Sequence, residues 1–206
     1  MSYTRGTFAA LVDALIPETP ELETRGPEHV PGGLAVGLEE AVIERVNNFV
    51  ETHGVASLAG DAVPLAPAVA ALLDTAAGEL LLRRRAEDGL RSPDEPFAAG
   101  PFCRLSREDR LRALRLLEDE GAFAALAGRY DAAALGTIQF LASSLPILVE
   151  SVYYAETTAD EGEARSLGWR QADYPGPADG YPVMLGYELD EFEENEYISY
   201  SDSEIS

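Results

Sequence analysis

No lysine occurs anywhere in the chain, and every one of its 15 basic residues is an arginine. There is one cysteine, Cys103, which excludes an internal disulfide and a thiolate metal cluster; a buried structural thiol is the expectation. Histidine is nearly absent. His29 and His53 fall in a loop or at a helix end, neither has a second histidine or cysteine at ligand spacing, and both read as surface residues. By inspection no apolar run reaches the roughly 18 residues of a membrane span, so no direct span is expected. No basic stripe exists to neutralise phosphates, which argues against nucleic acid as a partner. The triplet Arg83-Arg84-Arg85 sits beside Glu79 and Glu87 in a helical pattern and reads as a solvated face.

What the chain does have is acid. Against the arginines stand 37 aspartates and glutamates, a formal net charge of −22 over 206 residues. Such a domain repels itself at low ionic strength, and a Debye length of about 3 Å near 1 M salt would quench the repulsion. Two readings follow: adaptation to concentrated salt, or an acidic surface that docks a basic partner. The even spread of acids along the chain favours salt. Apolar residues make up 46% of the sequence, enough for a real core in one domain.

The apolar residues recur at helical spacing. Phe8, Leu11, Val12, Leu15 and Ile16 form one stripe closed by Pro17. Residues 17 to 33 carry four prolines and three glycines and read as a long irregular loop. A second helix has Leu38, Val42, Val46, Phe49 and Val50 on one face. A third follows Pro64 and Pro67, with Val69, Leu72, Leu73, Ala76, Leu80 and Leu81 aligned. Ser106 and Asp109 in "SREDRLRALRLLE" resemble a capping box, with Leu111, Leu114 and Leu117 behind it. A short helix is expected around Phe123 and Leu126. Asp131 should cap the longest helical pattern, with Ile138, Leu141, Leu145, Leu148 and Val152 on one face and Pro146 placed to kink it. Because this segment is apolar on more than one side, it reads as a central helix wrapped by the others.

No convincing period-2 run occurs. The expected fold is all-α: a single-domain bundle of five or six helices over residues 1–165, then a non-helical C-terminal arm at 166–187 and an acidic tail at 188–206. The arm opens with "SLGWRQADYPGPADGYP", which carries the only tryptophan beside three prolines, three glycines and two tyrosines. Stiff apolar groups of this kind serve as interface anchors, and serve equally to seal the open end of a bundle.

A search for chemistry yields little. "PGGLAVG" lacks the phosphate-cradle spacing, "LASSLP" lacks the glycines of a nucleophile elbow, and "DEFEEN" lacks the glycine and terminal glutamate of a calcium loop. No nucleophile, base and orienting group can be assembled without free choice among dozens of acids. No catalytic centre, metal site or cofactor of the chain's own is expected.

The layout resembles the gluconate 2-dehydrogenase subunit 3 family, the small subunits of membrane-associated flavoprotein dehydrogenases. The matching pieces are "LIPETP" after the first helix, "FCRLSREDRLRALRLLE", "VESVYYAE" and "LGWRQADYPGPADGYP", reaching about residue 182. The tryptophan followed by the Y-P-G-P turn is the most specific of them. The resemblance implies a helical accessory subunit without cofactor, paired with a large FAD-dependent subunit of the glucose-methanol-choline class that oxidises a sugar or another alcohol, often with a cytochrome subunit. It places Trp169, Tyr174, Pro175, Gly176, Pro177 and Tyr181 at or beneath the partner surface. Many members carry a twin-arginine export signal; "MSYTRGTFAALVDALIP" has none, so the chain is expected to be cytoplasmic, or exported with a partner that carries the signal. The alternative to a subunit is a free-standing helical protein that binds a small ligand between its helices.

Overall fold

A computed structural model describes residues 2–49, 65–83, 87, 89–91, 100–117, 132–155 and 165–174. The protein is all-α. Among the described residues there are six α-helices and no strand. They are α1 (Tyr3–Leu15), α2 (Leu38–Asn47), α3 (Leu65–Leu82), α4 (Arg107–Leu116), α5 (Ala132–Tyr153) and α6 (Leu167–Gln171). Met1–Ala172 form one compact unit and Asp173–Ser206 a second, so the bundle takes in residues past the expected boundary at 165.

Helix α1 starts at Ser2, whose side chain accepts a hydrogen bond from the Arg5 amide. It stops where Pro17 forces Ile16 out of helical geometry. Phe8, Leu11 and Val12 are wholly buried, each contributing roughly 1.5–3 kcal/mol of transfer free energy. Gly37, left-handed at φ 64°, turns the chain into α2. Glu39 and Glu40 open α2, and the Arg5 guanidinium bridges both, at 2.9 and 2.6 Å. Ahead of α2 the proline-rich loop contains 3-10 turns at Pro20–Arg25, Pro27–His29 and Gly33–Val36.

Helix α3 is the hub, packing on α1, α2, α4 and α5. Asn47, ending α2, lends its side-chain oxygen to the Ala66 amide in the first turn of α3, at 2.9 Å. Pro67 sits in that same turn, where its missing N–H removes no bond. The expectation that no apolar run has membrane-spanning length is corrected here. Leu65–Leu82 does reach that length and apolarity, with Asp74 and Glu79 the only charged residues in it. Part of its apolar surface is taken up by the surrounding helices: Val69, Leu72, Leu73, Ala76 and Leu80 are buried, whereas Leu82 is exposed.

The start of α4 carries half of the expected capping box. Ser106 accepts from the Asp109 amide, but the Asp109 carboxylate takes the Glu87 amide and the Arg112 guanidinium. Arg110 is buried and reaches Asp13 at 2.8 Å and the carbonyls of Ala10 and Cys103, tying α4 to α1. Cys103 is buried, with its thiol 3.8 Å from the Thr7 hydroxyl, as a structural thiol should be.

Helix α5 runs through Pro146 and packs on α1, α2 and α3. It is not wrapped on all sides. Ile138, Leu141, Leu145, Val149 and Val152 are buried, whereas Phe140 and Ile147 on the opposite face are 57% and 72% exposed. Among the described residues α1, α2 and α3 cover one face, and on the other Phe140 touches Phe49, ring centroids 5.7 Å apart, yet stays mostly exposed. The helix expected around Phe123 and Leu126, the Asp131 cap and the tail at 188–206 lie outside the described residues.

Candidate functional site

The tryptophan segment begins as helix, not as arm. Ser166 is buried and accepts from the Trp169 amide, nucleating the single turn α6. One turn is too short to show periodicity in sequence, and a capping serine is its only signal there. Gly168 is needed because a Cβ at that position would stand 2.7 Å from the Tyr153 carbonyl oxygen; the turn lies directly on the end of α5. Leu167 is buried, Trp169 is half-buried, and the indole N–H donates to the Tyr154 carbonyl at 2.5 Å.

Gln171 holds the other side. Its amide nitrogen donates to the carbonyls of Glu28 and Pro31, at 2.8 and 3.1 Å, and its amide oxygen accepts from the Tyr153 hydroxyl at 2.7 Å. One neutral side chain thereby joins α6, the end of α5 and the proline-rich loop. Between them is a cleft of about 430 Å³, within the size range of small-molecule sites. Leu15, Ile16 and Leu22 form its apolar wall, and His29, Glu150 and Gln171 supply polar groups.

The chemistry available in the cleft is that of holding. Burial chiefly, with Tyr154 adding to it, pushes the Tyr153 phenol up to about 12. It is a hydrogen-bond donor at neutral pH. His29 lies 3.7 Å from the Glu28 carboxylate, and among the described residues no group of three or more histidines, cysteines or acids is placed to hold a metal. A second phenol, Tyr3, is held well above its ordinary value, first by burial and then by its bond to Asp74. Asp74 also accepts from the Phe102 amide at 2.9 Å, so this pair is a structural clasp among α1, α3 and the turn before α4.

Of the residues expected at a partner surface, Trp169 is half-buried on α6 and Tyr174 is 43% exposed. Pro175, Gly176, Pro177, Tyr181 and the second histidine, His53, lie outside the described residues. Gln171 and Gly168 carry the docking of the segment, and neither stands out in the sequence. Compared with protein-family models, curated proteins and solved structures, the chain matches none.

Proposed function

We propose that this chain is a non-catalytic accessory subunit of an FAD-dependent sugar or alcohol dehydrogenase, stabilising or maturing its flavoprotein subunit in a salt-rich cytoplasm. The flavin belongs to the partner, and a cytochrome subunit is a further candidate member of the complex. The observation that carries the reading is the rigid mounting of the tryptophan segment. Ser166, Gly168 and Gln171 fix α6 on the bundle, with Trp169 half-buried; Tyr174, beyond the turn, is exposed. A turn held on the bundle in this way and bearing the Trp169 indole loses little entropy on docking, which is how interface anchors work. The resemblance to the small-subunit family is most specific at this same segment.

The test is to produce a flavoprotein encoded beside this chain with and without it, and with a Trp169→Ala variant. The reading predicts loss of soluble, flavin-loaded flavoprotein without the chain and partial loss with the variant. Equal yield, flavin content and activity in all three would refute it.

A second reading draws on the cleft: a free-standing protein that binds a small ligand there. A monodisperse chain that holds a small molecule, released by a Glu150→Ala or Gln171→Ala change, would favour it over the first.

A further inference from the structure

The outward face of α5 is a straight stripe. At about 100° per residue, Phe140, Ser143, Ser151 and Tyr154 all fall within roughly 40° of Ile147. Phe140, Ile147 and Tyr154 are 57%, 72% and 48% exposed, and Tyr154 continues the last turn through its amide bond to the Glu150 carbonyl. Large apolar groups thus recur every seventh position, with hydroxyl-bearing serines between them. Both serines bond back to their own helix, Ser143 to the Phe140 carbonyl and Ser151 to the Leu148 carbonyl, so their polarity is already satisfied.

We infer that this face is a contact between two copies of the chain, α5 packing antiparallel on α5 about a two-fold axis at Ile147. The stripe is self-complementary in that arrangement. Ile147 meets itself, and Phe140 meets Tyr154 of the second copy, as an isologous interface requires. Charge selects the orientation. Glu150, the one acid within α5, comes opposite Ser144 of the second copy. A parallel pairing would instead set Glu150 against Glu150 of the second copy. Antiparallel packing also opposes the two helix dipoles.

The area suits a modest dimer. The three apolar side chains expose on the order of 100 Å² each, so they alone remove about 600 Å² from water across both copies, and the intervening residues bring the total near the roughly 1,000 Å² of a specific contact. With a net charge of −22 on each copy, the contact strengthens as salt screens the repulsion. The stripe borders the tryptophan segment at Tyr154, whose carbonyl accepts from the Trp169 indole, but the inference does not rest on the accessory-subunit reading.

Sedimentation equilibrium of the full chain, at low and at molar salt, tests it. A dimer is expected at molar salt, and Ile147→Glu, which sets two carboxylates against each other on the axis, should weaken it roughly 100-fold. Cross-linking fixes the geometry. Ile147→Cys should form a disulfide with itself, and a mixture of Phe140→Cys and Tyr154→Cys should form one between them. Native Cys103 is buried and stays out of the reaction. A monomer at every salt and concentration, or Phe140→Cys joining only to itself, would overturn the proposal.

Discussion

Gln171 commits all three of its described hydrogen bonds to joining segments distant in sequence, at Glu28, Pro31 and Tyr153. Gln171→Ala leaves two carbonyls and a hydroxyl without that partner, and the expected loss is about 2–3 kcal/mol by urea denaturation. Gly168→Ala should cost a similar amount by pushing α6 away from Tyr153, whereas Arg170→Ala next to it should cost far less. Tyr153 adds a pH signature. Its folded pKa is raised, so its contribution is complete below the unfolded value near 10 and is lost as pH climbs toward about 12. Tyr3 is shifted in the same direction. Stability followed by urea denaturation from about pH 9 to about pH 12 should therefore fall at the alkaline end, and Tyr153→Phe should lessen the fall. At this scale sequence is a poor guide. A tryptophan beside prolines announces itself, but a single glutamine becomes important only when three distant segments meet at it.

Helices are far more legible, because burial repeats along them. The stripes of α1 and α3 and the Ser106 cap of α4 follow directly from residue spacing and the side-chain chemistry of caps. Ser106→Ala should cost about 1 kcal/mol, measured as a shift in the denaturation midpoint at unchanged slope. Helix α5 is harder to read, since two apolar stripes on one helix cannot be assigned to inside and outside without knowing how many neighbours it has. Pro146 within α5 also takes away one backbone donor. Pro146→Ala should raise stability by about 1–3 kcal/mol, and a loss of that size would mean the proline is needed for the packing of the second half of the helix. The proline-rich loop hides its structure for another reason: its 3-10 turns are bonded locally and leave no periodic trace.

Over the whole molecule, charge outweighs every local pairing. Arginines pair with nearby acids, as Arg112 does with Glu87, Glu108 and Asp109, yet the acids outnumber the arginines more than twofold. The melting temperature should therefore rise steadily from low to molar potassium chloride, and a flat response would remove the salt-adapted reading. The cleft and the tryptophan segment both lie where α1, α5, α6 and the proline-rich loop converge, a junction that only the fold reveals. The central claim is that the chain acts by binding another protein there. Its most direct measurement is purification of the untagged native assembly through this chain in high salt, followed by an absorbance spectrum. A stoichiometric flavin spectrum, diminished with Trp169→Ala, is the expected result; a chain that purifies without flavoprotein, and regains none when one is supplied, contradicts the account.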